Sequence, residues 1–254
     1  MSEGQAGEAG EAIWDGCRPL VIAIDGPSGS GKSTTARGVA RRLDLAFLDT
    51  GAMYRAITWL VLQQGLDSAD EPAVARLARD AELAVNTDPQ TPSIAVNGQD
   101  VTEAIRHPDV SAAVSAIATN LDVRRELVSR QRELITGAAG GIVAEGRDVT
   151  SVVAPDAQVR VLLVADPAAR VARRHAELGE RIDAAAVTDQ VIRRDQDDST
   201  VAQFHSAGPG VVVLDSTSLS LEEVIDAICA LAPESYAHRL DDANLAGAGE
   251  DVAR

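Results

Sequence analysis

The sequence predicts an α/β fold: a parallel five-stranded sheet with helices on both faces, interrupted by one small insert. Three observations predict it. Five short apolar runs alternate with stretches of helical period. The 254 residues, 45% of them apolar, are enough for one good-sized core. Residues 82–101 break the alternation with turn-rich, strand-like sequence.

Residues 20–25 (LVIAID), bounded by Pro19 and Gly26, read as a buried strand. A helix is expected from Lys32 to about Leu43, a second strand over 45–49, and a helix over 52–64 closed by Gly65. Within the break, 83–86 and 93–97 flank a turn of Asp, Pro, Gln and Thr, and Asn97-Gly98 supplies another turn, so a small antiparallel element is expected. Helical patterns resume over 108–118 and 121–136. Strands at 141–145 and 159–165, helices at 167–178 and 184–196, a strand at 211–214 and a helix at 219–231 complete the chain.

The formal net charge is −16. Residues 1–18 and 232–254 carry nine of the acids, and the remainder still holds 30 acids against 20 bases. A surface so acidic argues against binding duplex nucleic acid, although a local basic pocket for a small anion is compatible with it. No stretch approaches the roughly 20 apolar residues of a membrane span. The first sixteen residues hold four acids and no base, the opposite of a targeting peptide, so a cytoplasmic address is expected. Cys17 and Cys229 make neither a disulfide framework nor a metal cluster. Of the 23 basic residues, 22 are Arg and one is Lys, at position 32.

That lysine lies in Gly26-Pro27-Ser28-Gly29-Ser30-Gly31-Lys32-Ser33-Thr34, which satisfies G-x-x-x-x-G-K-[ST] between a strand and a helix. Glycines let successive N–H groups curl around phosphate oxygens, and the following helix points its positive end at the same anion. The compact Lys32 ammonium offsets β/γ charge where a planar Arg would not fit, and the Ser33 hydroxyl can ligate Mg²⁺. The loop therefore binds a nucleoside triphosphate. A guanine-reading N-K-x-D motif is impossible in a chain whose single lysine is Lys32, which weakens the regulatory-GTPase reading. A small kinase with an arginine-lined acceptor site is favoured. Asp49-Thr50-Gly51-Ala52-Met53-Tyr54-Arg55 and Glu145-Gly146-Arg147-Asp148 both lie at carboxyl ends of expected strands, where ligands of open α/β sheets collect. Arg193-Arg194-Asp195-Gln196-Asp197-Asp198-Ser199 adds a third arginine-bearing segment. Arginines converging there would suit a dianionic phosphate.

GPSGSGKST, LDTGAMYR, AEGRDV, RRDxxDS and LDSTSLSLEEVI together resemble the bacterial cytidylate (CMP/dCMP) kinases, over essentially all of residues 20–231. The resemblance implies transfer of the ATP γ-phosphoryl to CMP or dCMP with Mg²⁺, on a P-loop kinase core with an NMP-binding insert and a short lid. By position it implies that residues 26–34 hold the ATP phosphates, and that Thr50, Tyr54 and Arg55 line the acceptor site. It places Arg55 and Arg147 on the acceptor phosphate, and Ser115 and Arg124 on the cytosine edge with Asp148 close by. Arg194 and Asp198 would contact phosphate and pentose. Arg170, Arg173 and Arg174 fall where the lid begins, placed by the resemblance to bridge donor and acceptor phosphates. Lys32, Arg147, Arg173 and Arg174 are thus the expected catalytic residues. The family often has Arg three residues after the last Asp, where this chain has Val201, so either another Arg substitutes or acceptor affinity is weaker.

The division this implies is a disordered acidic start (1–17), a first core part with the P-loop (18–66) and an NMP-binding insert with helices (67–139). A second core part (140–232) contains a lid at about 175–187, and a flexible acidic tail follows (233–254). The expected partners are ATP and CMP or dCMP, for a monomer that binds neither nucleic acid nor membrane. The readings set against it are a kinase of UMP or of a non-nucleotide acceptor, and a nucleotide-dependent binding protein that retains the loop.

Overall fold

The computed structural model describes residues 18–178, 206–234 and Tyr236; the side chains of 174–178 are not among what it describes. The expected helix at 184–196, the acidic start and nearly all of the tail therefore lie outside the described residues. So do Cys17, Arg194, Asp198, Val201, most of the expected lid at about 175–187 and the Arg174 side chain.

The chain opens with β1 (Val21–Asp25), α1 (Lys32–Arg42), β2 (Ala46–Asp49) and α2 (Thr50–Gln63). Next come α3 (Glu71–Asp80), β3 (Leu83–Asn86), β4 (Ser93–Val96), β5 (Gln99–Asp100), α4 (Pro108–Thr119) and α5 (Leu121–Gly137). The last part contains β6 (Ile142–Gly146), a π-helical turn (Val149–Val153), β7 (Val159–Val164), α6 (Pro167–Leu178), β8 (Val212–Asp215) and α7 (Leu221–Cys229). The five expected apolar strands form one sheet, in the order β2-β6-β1-β7-β8, with every neighbouring pair parallel.

Strand side chains alternate between faces, and the sheet accordingly divides two cores. Ile22, Ile24, Phe47, Val143 and Val161 pack with α1 and α7, whereas Ala23, Leu48, Ile142 and Ala144 pack with α2, α4 and α5. Ile22, Ile24 and Ile142 are fully buried, each contributing roughly 1.5–3 kcal/mol by area. The second core continues without a break into Ile94, Val96 and Val101 of the insert. The insert is thereby fixed to the sheet through α2.

The break at 82–101 is a three-stranded antiparallel sheet, β3-β4-β5, with Asn97 and Gly98 at positive φ in its second turn. Its third strand has only two residues, too few for an alternation to show in sequence. Helix α3 is absent from the sequence expectation. Its buried face is Val74, Ala75 and Ala78 with Leu77 packed beside them, opposite Arg76 and Arg79, a helical spacing that the sequence expectation missed. Asp70 caps it by accepting from the Ala73 N–H at 3.0 Å. Arg130 of α5 closes its other end, donating to Ala78, Arg79 and Ala81 carbonyls. Helix α2 starts at Thr50, two residues before its expected start, because Asp49 caps it by accepting from Ala52 N–H at 2.8 Å. Among the described residues, no helix is long and apolar enough to cross a membrane.

Parallel register sets the chemistry. Asp49 pairs with Glu145, and Asp25 with Gly146, so three carboxylates and the Gly26–Thr34 loop share one end of the sheet.

Candidate active site

The loop between β1 and α1 uses glycine where the backbone demands it. Gly29 and Gly31 adopt φ of 74° and 90°, a region costly for other residues. Gly31 is the N-cap of α1 and brings no side-chain cap, so the helix's first N–H groups remain available to an anion. Lys32 Nζ donates to the Pro27 carbonyl at 2.9 Å, holding the ammonium over the loop.

A cavity of about 470 Å³ opens from this loop. Ser28, Gly29, Gly31, Lys32, Ser33 and Thr34 line one end. Thr50, Tyr54 and Arg55 of α2, Arg124 of α5 and Arg147 and Asp148 after β6 line the other. All of these were singled out in the sequence, and the fold brings them together. Ser115 stands half-buried beside the lining, which α4 supplies through Ser111, Val114 and Ala118. Arg170 and Arg173 lie behind the loop, outside the lining. Arg170 donates to the Ser28 carbonyl at 3.0 Å, and Arg173 to the Ser30 carbonyl at 3.4 Å and the Ser216 carbonyl at 2.6 Å.

The acceptor end is electrostatically organised. Arg55 is paired to Asp49 at 2.8 Å. Burial pushes the Asp49 carboxyl up, but Arg55, the Ala52 N–H and Arg106 outweigh it and hold it below its usual range. Arg124 is paired with Asp148, both largely buried, and Arg124 also donates to the Ala118 carbonyl at 3.2 Å. Burial raises the Asp148 carboxyl against the pull of Arg124. The Tyr54 hydroxyl is buried without a hydrogen-bond partner among the described residues, its ionisation suppressed chiefly by burial. Arg147 donates to the Gly26 carbonyl at 2.9 Å, tying the acceptor segment to the phosphate loop.

Several residues of the site carried no role in the sequence reading. Glu145 and Asp49 end adjacent strands, and that position was the available signal. The Ser33 hydroxyl donates to Glu145 Oε1 at 2.5 Å. Burial and then Asp49 push the Glu145 carboxyl up to about 7, against the opposing pull of Lys32, Ser33 and Arg55. Arg37 and Arg106 also line the cavity. Neither had a motif to mark it.

A hydroxyl and two carboxylates at the loop are a hard-oxygen donor set of the kind Mg²⁺ takes alongside phosphate and water. Among the described residues no group of three or more His, Cys, Asp or Glu side chains could hold a metal unaided. The residues therefore fit a metal held jointly with nucleotide phosphates.

A family model described as cytidylate kinase matches residues 22–234. A cytidylate kinase of Cutibacterium acnes is 56% identical over 216 residues, covering 85% of this chain and 96% of that protein. One of Streptomyces avermitilis is 42% identical over 219 residues, covering 86% and 94%. One of Geobacillus kaustophilus is 42% identical over 222 residues, covering 85% and 98%.

Proposed function

The chain belongs to the cytidylate kinase family, an ATP-dependent phosphotransferase acting on CMP or dCMP, and we propose that its transfer occurs in the cleft between the phosphate loop and the Arg124–Asp148 pair. The observation that supports this most is that one cavity joins both ends. ATP phosphates lie along residues 26–34, with the bare start of α1 and Lys32 on the β/γ oxygens. The acceptor phosphate lies between Arg55 and Arg147, whose guanidinium forks suit a dianion.

Cytosine presents an amino donor beside ring-nitrogen and carbonyl acceptors. Asp148 accepts from the amino group, and Arg124 donates to the acceptors. Uracil reverses two of these positions and would face Asp148 with an oxygen. Tyr54 and Ser115 complete this end of the site, while Arg194 and Asp198 hold phosphate and pentose. Arg170 and Arg173 fix the loop's backbone, and Arg174 belongs with the lid.

The acceptor phosphate is ionised at pH 7, so no general base is required. Positioning and charge neutralisation carry the rate. Mg²⁺, which Ser33 with Glu145 and Asp49 nearby would hold, supplies neutralisation of phosphate charge when bound. The enzyme proposed is a monomer, and its nucleotide substrates suit a cytoplasmic address.

The test is ADP release with ATP and Mg²⁺ over CMP, dCMP, UMP, AMP and no acceptor. Turnover confined to the cytidine nucleotides is expected. ATP binding without acceptor-dependent turnover would overturn the reading.

A further inference from the structure

Immediately after Asp148 the chain makes one π-helical turn, Val149–Val153, with the Ala154 N–H returning to the Val149 carbonyl at 2.8 Å. The first N–H groups of any helical turn lack partners within it. The residue before the turn ordinarily accepts them, and a short acid is well suited to do so. Here that residue is Asp148, yet its side chain makes no cap and is paired to Arg124 on the cavity wall.

The cap comes from another strand. Asp25, the last residue of β1 and only 2% exposed, accepts from the Val149 N–H and the Thr150 N–H, each at 2.8 Å. It also accepts from the Thr150 hydroxyl at 2.6 Å. We infer that Asp25 is a positioning residue for acceptor recognition: by capping the π turn in place of Asp148, it releases the Asp148 carboxylate to face the nucleobase. Gly26, the next residue, accepts from Arg147, so residues 25–26 hold both acceptor-binding side chains of the 147–148 pair in place.

The burial of Asp25 supports this. An ionised carboxylate so deeply enclosed is costly, and burial pushes its carboxyl up despite three donors. A group kept at that cost, and not among the residues that line the cavity, is explained by what it holds. Without this cap, the Val149 and Thr150 N–H groups would draw Asp148 back onto the turn and away from Arg124.

The inference rests on the assignment of Arg147 and Asp148 to the acceptor, which Arg147→Ala tests separately. Asp25→Asn preserves volume but replaces one acceptor oxygen with a donor. It is expected to raise KM for CMP at least ~10-fold with KM for ATP within about threefold, and to erode the CMP-over-UMP preference, as a small displacement of a recognition group does. Thr150→Val removes only the hydroxyl bond and should shift the same quantities less, while Thr150→Ser restores them. Thr150→Val serves as the test should Asp25→Asn not fold. If Arg147→Ala leaves KM for CMP unchanged, the site assignment falls. If it raises KM for CMP while the Asp25 and Thr150 variants leave acceptor constants and base preference unchanged, or alter ATP and CMP constants equally, the inference falls alone.

Discussion

The hydroxyl of Ser33, in the first turn of α1, donates to Oε1 of Glu145 at the end of β6 across 2.5 Å. The contact links the phosphate loop to the neighbouring strand, and on the proposed function it sets a buried carboxylate beside the phosphate-bound Mg²⁺. Glu145→Gln keeps the size and an acceptor while removing the charge. Turnover is expected to fall ~100-fold, the scale of losing one preorganised electrostatic group, and the Mg²⁺ concentration for half-maximal rate should rise. A Mg²⁺ titration of wild type and variant decides it; coincident curves would restrict Glu145 to orienting Ser33.

Lys32 is the chain's single lysine, placed over the loop by its bond to the Pro27 carbonyl. On the proposed role, in which its charge serves the transferring phosphoryl, Lys32→Met should lower kcat by at least ~100-fold while leaving the fold intact. Turnover within threefold of wild type would remove that role.

Arg173 separates two readings. As a phosphate-bridging group it would cost turnover alone when removed. Its observed bonds, to the Ser30 carbonyl and to the Ser216 carbonyl and hydroxyl, make it a brace behind the loop. Arg173→Ala is therefore expected to raise KM for ATP and lower Tm, with KM for CMP unchanged. Arg173→Lys should rescue only partly, since a single ammonium cannot span both carbonyls as a fork does. A kcat loss with unaltered Tm would favour the bridging role.

The five strands of the main sheet and the ends at which they present chemistry were legible because each is a short apolar run stopped by Gly or Asp. The phosphate loop was legible because its backbone demands a fixed glycine pattern. Helix α3 was legible too, from Val74, Leu77 and Ala78 at helical spacing behind the Asp70 cap and Pro72, a start-and-period signal that the sequence reading missed. The partnership of Asp25 with Val149 and Thr150 spans over 120 residues, and nothing local to either segment announces it. Arg173 illustrates a further limit: sequence placed it near the lid, and nothing local to it announces its bonds to Ser30 and Ser216.

Asp49 joins two duties whose contributions can be separated by pH. It caps α2 through the Ala52 N–H and pairs with Arg55, and its carboxyl is held below the ordinary value of 3.8. A depressed folded-state pKa means that the unfolded chain takes up the proton first as pH falls. The contribution of Asp49 is thus fully present above about pH 4 and is lost as pH drops through the lower folded-state value. Asp49→Asn keeps the cap and discards the charge, whereas Asp49→Ala discards both and should cost about 1 kcal/mol more, the usual worth of an N-cap. In denaturant melts from about pH 5 to pH 3, below the Glu145 titration that Asp49 also raises, the gap between wild type and Asp49→Asn should narrow steadily below about pH 4, while the gap between the two variants should stay constant. A wild-type-to-Asn gap that does not change with pH would mean that the Asp49–Arg55 pair contributes no net charge stabilisation to the folded state.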